Sequence, residues 1–91
     1  MAREIIWKHE LIITDSQGVY VPLGARFLAV GNQSGKLMLW FSHTNQRGRE
    51  DRFIRIVGTG NGFESNNLIY IGTAQVGDFV WHVFEELANG A

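Results

Sequence analysis

The sequence predicts an all-β domain of about seven short antiparallel strands, closed as a small sandwich or barrel with little or no helix. Three observations lead there. Apolar residues alternate with a period of two along several stretches, most clearly Ile5–Ile13. Clusters of Gly, Asn, Asp and Ser interrupt these stretches at near-regular spacing. Helical period appears only in the last segment, where Val80, Val83, Phe84 and Leu87 would form a stripe after an Asp78 cap. The first six residues of that segment are mostly β-branched or aromatic, which favours a strand there too.

In order, the first strand covers Ile5–Ile13, with Ile5, Trp7, His9, Leu11 and Ile13 on one face and Ile6, Lys8, Glu10 and Ile12 on the other. Asp15-Ser16-Gln17-Gly18 supplies turn chemistry. Val19-Tyr20-Val21 is a short strand stopped by Pro22, the only proline, which also holds Val21 extended. Arg26–Val30 and Lys36–Ser42 form a hairpin through Asn32-Gln33-Ser34-Gly35. Leu37, Leu39 and Phe41 occupy one face of its second strand, Met38 and Trp40 the other, so that strand belongs in the middle of a sheet.

The polar stretch His43–Asp51 is a hairpin loop. Arg52–Thr59 is the fifth strand, with Ile54 and Ile56 on one face and Phe53, Arg55 and Val57 on the other. Gly60–Asn67 is a loop, Leu68–Gln75 the sixth strand, and Val76-Gly77-Asp78 a turn into Phe79–Glu86. This last segment is apolar on both faces and needs cover on two sides. Ile56-Val57-Gly58-Thr59 and Tyr70-Ile71-Gly72-Thr73 echo one another, and their glycines mark strand ends or bulges where backbones pass closely. The expected core contains Trp7, Leu39, Phe79, Trp81 and Phe84, with Trp81 as its anchor.

Composition sets bounds. Ninety-one residues make one domain, spanning 1–91 with an ordered core of about 4–87. Hydrophobic residues are 45% of the chain, enough to fold rather than stay disordered. There is no cysteine, hence no disulfide and no thiolate metal site. The longest unbroken apolar run, Leu37–Phe41, is far short of the ~20 residues of a membrane-spanning helix, and Met1-Ala2-Arg3-Glu4 lacks the apolar stretch of a signal peptide. The expectation is a cytoplasmic protein without a membrane. A net charge of −1 with no basic stripe argues against nucleic acid as partner.

No arrangement of residues carries a reaction. The three histidines, His9, His43 and His82, are far apart in sequence. Pairing of the terminal strands would bring His9 and His82 together, with Glu10 or Glu85 as a further ligand, but hydrogen-bonded histidines beside aromatic packing is the plainer reading. No metal and no cofactor is expected. Ser16, Ser34, Ser42 and Ser65 lie outside any nucleophile elbow. Gly58-Thr59-Gly60-Asn61-Gly62-Phe63 follows a strand as a dinucleotide fingerprint would, but Phe63 stands where the third glycine belongs and a strand follows instead of a helix. Its backbone amides would still make an anion nest. The chain is expected not to be an enzyme.

Arg47, Arg49, Arg52 and Arg55 cluster over nine residues, opposed only by Glu50 and Asp51. Arginine forks suit phosphates and carboxylates, so these four, with Trp40 for stacking, are the candidate binding residues; the plainer reading is a solvated loop guarding a hairpin end. Trp40 and Phe84 lie opposite their strands' other apolar rows. That surplus apolar face predicts a homo-oligomer, most simply a symmetric dimer.

Taken in order, Ile6-Trp7-Lys8, Pro22-Leu23-Gly24-Ala25, Leu37 to Trp40, Arg55-Ile56-Val57-Gly58-Thr59-Gly60, Tyr70-Ile71-Gly72-Thr73 and Val80-Trp81-His82-Val83-Phe84-Glu85 resemble a family of small, functionally uncharacterised proteins encoded by tailed phages and prophages. The resemblance runs from about Ile6 to Glu85, and its most specific part is the closing Val-Trp-His-Val-Phe-Glu; the loop His43–Asp51 matches nothing in it. It implies phage origin and action inside an infected bacterium, and it brings no catalytic residues. Three functions follow as expectations. The first is a non-enzymatic accessory protein that binds a host or phage protein. The second is a binder that sequesters a small anion such as a nucleotide, using the arginines, the Gly58–Gly62 loop and a tryptophan. The third is a minor structural or assembly component of the virion.

Overall fold

A computed structural model describes residues 3–44 and 48–88. Among them the chain forms seven strands and no helix: β1 (Ile5–Leu11), β2 (Ser16–Pro22), β3 (Arg26–Gln33), β4 (Lys36–His43), β5 (Arg49–Gly58), β6 (Leu68–Val76) and β7 (Phe79–Glu86). They pair antiparallel in two sheets, one in the order β1-β4-β3 and one in the order β2-β5-β7-β6. The all-β expectation holds, and the last segment is a strand. β4, β5 and β7, the three segments with apolar residues on both faces, each lie between neighbours.

Several boundaries differ from the sequence reading. β1 ends at Leu11, because the side chain of Gln17 takes over there: Ile12 N donates to Gln17 Oε1 at 3.1 Å, and Gln17 Nε2 donates to the Ile12 carbonyl. Ser16, Gln17 and Gly18 belong to β2 rather than to a turn, since β5 extends back to Arg49 and gives them partners. The β3–β4 turn is the two residues Ser34-Gly35, at φ 55° and 82°, which is the twist-matched hairpin geometry. Asn32 stays in the strand, and its Oδ1 accepts from Gly35 N at 2.9 Å.

The core lies between the sheets. Leu37, Leu39 and Phe41 of β4 face Val19 and Val21 of β2, Ile54 and Ile56 of β5 and Val83 of β7, all buried. Of the expected core residues, Leu39 is fully buried and Trp81 is half-buried against the cluster. Three do not belong to it. Trp7 points inward, but from an edge strand, and remains 38% exposed against Phe41 and His43. Phe79 is 64% exposed, because β7 begins there, where its ring lies 5.9 Å from that of Trp81. Phe84 alternates with Val83 and so points away from the core, onto the outer face of the four-stranded sheet.

One flank of the sandwich is closed. β3 runs beside β6, where Asn32 Nδ2 donates to the Gln75 carbonyl at 3.0 Å. A Cβ on Gly72 would lie 3.0 Å from Val30 Cγ2 and 3.3 Å from Val30 N, so only glycine lets the two strands approach this closely. Ile71, just before it, is the extra residue of a bulge in β6. The other flank, where β1 and β2 lie, leaves Ile5, Ile6, Ile12 and Ile13 exposed.

Candidate functional site

The outer face of the four-stranded sheet gathers the chemistry-bearing side chains. β7 runs between β5 and β6, so residues opposite one another share a face. His82 pairs with Val57 on one side and Thr73 on the other; Phe84 pairs with Arg55 and Tyr70. Thr59 Oγ1 lies 2.7 Å from His82 Nε2, and Thr73 Oγ1 lies 3.0 Å from Nδ1. Tyr70 Oη completes the chain by bonding Thr73 Oγ1. The two Gly-Thr echoes thus have a common function. Each glycine marks a strand end or bulge, and each threonine holds one nitrogen of the same imidazole. A hydroxyl can donate or accept, so the two threonines hold the ring's orientation whichever nitrogen carries the proton. Its partners on both sides are hydroxyls rather than carboxylates, an arrangement suited to orientation more than to general-base strength.

Around this relay lies an aromatic surface. Phe84 has Phe63 at 5.4 Å and Tyr70 at 5.6 Å between ring centroids. Phe53, Phe63, Tyr70 and Tyr20 are 51%, 42%, 58% and 61% exposed. Phe53 lies over Gly18, where an added Cβ would stand 3.6 Å from the ring, an ordinary contact. The loop after β5 folds over Val57 and leaves an apolar cavity of about 300 Å³ lined by Val57, Thr59, Phe63, His82 and Phe84. On the loop's other side is a cleft of about 340 Å³ lined by Asp15, Arg55, Gly58, Asn61, Gly62 and Trp81, among others.

The structure does not bring the candidate arginines together. Arg47 lies outside the described residues. Arg49, Arg52 and Arg55 sit on β5 at intervals of three, and a strand alternates its faces, so Arg52 points inward and the other two outward. Six residues of strand separate Arg49 from Arg55 by roughly 20 Å. Arg52 is committed to the fold: Nε and Nη2 donate to the two Glu85 oxygens at 2.6 and 3.0 Å, and Nη1 donates to the Ala25 carbonyl at 2.8 Å. Its guanidinium also lies 4.4 Å from the Phe27 ring centroid. The hydrogen bond to Glu85 holds the Arg52 pKa above its ordinary range, against the opposing effect of burial. Arg49 stacks 5.9 Å from the rings of both Trp7 and Tyr20. Arg55, at the cleft, makes no ion pair among the described residues.

Trp40 is on the opposite side of the molecule. It covers Gly31 on the outer face of the three-stranded sheet, beside Ile6 and Lys8. The tryptophan that shares a cleft with an arginine and the glycine loop is Trp81. His9 and His82 belong to different sheets, because β1 pairs with β4 and not with β7. Among the described residues no three His, Asp or Glu side chains converge on a metal position, and no helix is long and apolar enough to cross a membrane.

A family model described as a domain of unknown function (DUF7352) matches residues 2–90. The chain belongs to this family. No curated protein and no solved structure matches it. The DUF7352 match includes both outer faces, the glycine loop and the His82 relay. In the sequence His82 reads as a lone histidine and the Gly-Thr echo as a feature of the backbone. The signal that joins them is positional: two strand-glycine-threonine segments and a strand with a central histidine meet once the three strands lie side by side.

Proposed function

We propose that this member of the DUF7352 family is a non-enzymatic accessory protein of phage or prophage origin that acts in the host cytoplasm by binding a protein partner through the outer face of its four-stranded sheet. The observation that carries this reading is the aromatic surface on one face, where Phe63 and Tyr70, 42% and 58% exposed, pack on the half-buried Phe84 and Phe53, 51% exposed, lies on the same face, around a histidine whose ring is held on both sides. Exposed apolar patches of this kind mark interaction sites, and aromatic anchors contribute most of the binding energy in such interfaces. The resemblance to phage and prophage proteins supports the setting. The test is capture from host lysate with wild type and with Phe53→Ser/Tyr70→Ser. The double variant should keep its melting transition and lose the captured protein. Equal capture by both would remove this face from the reading.

A second reading has an observation of its own. Arg55, Gly58, Gly62 and Trp81 line one cleft, which supports binding of a small anion such as a nucleotide by a cation, loop amides and a stacking ring. A ligand at 100 times its dissociation constant adds about 2.7 kcal/mol of stability. A nucleotide panel should therefore raise the Tm of wild type and not of Arg55→Gln. No shift with any nucleotide would remove this reading.

A further inference from the structure

β1 is an edge strand whose only ladder partner among the described residues is β4. Edge strands are ready templates for another chain, and proteins usually blunt them. This one keeps apolar residues at both ends, with Ile5, Ile6, Ile12 and Ile13 exposed by 43%, 62%, 69% and 42%.

Which backbone groups face outward follows from the hairpin. In a two-residue turn the flanking pair Gln33–Lys36 is hydrogen-bonded, so Lys36, Met38 and Trp40 turn their amides and carbonyls to β3. Leu37, Leu39 and Phe41 then turn theirs to β1, where they meet Leu11, His9 and Trp7. The backbone groups of Ile6, Lys8, Glu10 and Ile12 are left facing the open edge. The Gln17 side chain, which occupies both of those groups on Ile12, is independent support for this parity.

The edge is also self-complementary in sequence. Ile5-Ile6-Trp7-Lys8-His9-Glu10-Leu11-Ile12-Ile13 reads nearly the same in hydropathy from either end about His9, and its two charges, Lys8 and Glu10, are opposite at matching positions. Antiparallel pairing with a second copy centred there sets Lys8 against Glu10 twice, Trp7 against Leu11, Ile6 against Ile12 and Ile5 against Ile13. The free outward backbone groups of Lys8 and Glu10 meet one another, while those of Ile6 face Ile12, whose groups Gln17 already holds. Centring on Lys8 instead would oppose two lysines, which is unfavourable. The two Lys8–Glu10 pairs are the hydrogen-bonded ones, and the Gln17 clasp at Ile12 ends the ladder beyond them.

We propose that the protein is a homodimer in which β1 pairs antiparallel with β1 of a second copy about a two-fold axis at His9, joining the two three-stranded sheets into one. This goes beyond the partner-binding reading, because it uses neither the aromatic face nor the cleft and leaves both free.

The test uses charge and a cross-link. Light scattering on wild type at tens of micromolar should give twice the chain mass. Lys8→Glu and Glu10→Lys each set like charges opposite one another twice and should weaken dimerisation about tenfold or more, with unchanged circular dichroism and a monomer Tm lowered by no more than the loss of the exposed Lys8–Gln33 and Lys36–Glu10 contacts. Lys8→Glu/Glu10→Lys together restore opposite charges and should restore the dimer. The chain has no cysteine, so His9→Cys introduces one thiol per copy. At the centre of a non-hydrogen-bonded pair the Cα atoms stand ~4.5 Å apart, within disulfide reach. Oxidised His9→Cys should run as a covalent dimer and Lys8→Cys should not. A strict monomer at these concentrations overturns the proposal. So does a dimer that both single charge variants leave intact, or one that cross-links through Lys8→Cys and not His9→Cys.

Discussion

The two flanks of the sandwich are finished differently. On the β3–β6 side Gly72 lets the strands approach within contact of Val30, Asn32 reaches across to the Gln75 carbonyl, and the Arg52–Glu85 pair binds the second sheet to the Ala25 carbonyl at the start of β3. On the β1–β2 side the connections are a side-chain clasp from Gln17 and the Arg49 stack on Trp7 and Tyr20, while four isoleucines stay in solvent. The same chain thus closes one edge on itself and leaves the other in a form a second chain can complete. Substitutions on the first flank should be felt in folding, and those on the second in association.

The largest effect is expected at Arg52. Its side chain is 18% exposed and that of Glu85 14%, so removing the guanidinium leaves a mostly buried carboxylate without its partner. Such losses cost about 3 kcal/mol or more, a large part of the stability of a small domain. Arg52→Ala should lower Tm by roughly 12 °C or more. The pH sign follows from the raised pKa: the contribution is complete below the unfolded value and is lost only as pH rises through the folded one, above the ordinary arginine range. Wild type should therefore show no alkaline loss from this contact up to about pH 11, whereas Arg52→Lys should lose stability as its amine titrates from about pH 10 upward. A parallel alkaline decline of both in thermal melts would mean that Arg52 is not what joins β5 and β7 to β3.

Next is Gly72→Ala. The new methyl meets Val30 Cγ2 at 3.0 Å and, less yieldingly, Val30 N at 3.3 Å. Overpacking of this kind costs about 1–3 kcal/mol. Val30→Ala in the same chain removes the side-chain part of the clash, so the double variant should lose less than the sum of the two singles. Simple additivity in denaturant melts would show that the flank is not closed at that point. Smaller again is Asn32→Ala, which removes the bond to Gln75 and the one to Gly35 N. With both groups near solvent, about 1 kcal/mol is expected.

How far these features were legible in the residues depends on the range of the physics behind them. Period-two alternation is local, so β1, β4, β5 and β7 were visible, and so was the parity that puts Phe84 opposite Val83. The same parity, applied to Arg49, Arg52 and Arg55, separates them; treating them as a cluster ignored it. Exposure is not local. Trp7 faces inward yet remains 38% exposed because β1 is at an edge, and Phe79 is exposed because a strand begins there. Strand order decides both, and nothing within a strand announces its neighbours. For that reason Gly58 and Gly72 could be recognised as strand-end and bulge glycines, while the meeting of Thr59 and Thr73 at His82 could not be foreseen.

The smallest folding effect is expected on the open flank, and it is the most informative. Ile6 is 62% exposed on the outer side of an edge strand, so within one copy Ile6→Thr removes little burial and keeps a β-branched side chain in a strand. Its monomer stability should change by no more than about 0.5 kcal/mol, against the larger losses across the sandwich at Gly72 and Arg52. If the edge is completed by a second copy, the same substitution replaces an apolar pair, Ile6 against Ile12, by a polar one at two symmetry-related places. Dimerisation should then weaken severalfold while the melting curve of the dissociated chain stays where it was. Gly72→Ala should do the reverse, lowering the melting temperature while the population that remains folded associates as wild type does. Measuring both variants by both methods separates the flanks. A fall in folding stability from Ile6→Thr as large as that from Gly72→Ala would mean that β1 is as closed as β3, and the contrast between the two edges would be lost.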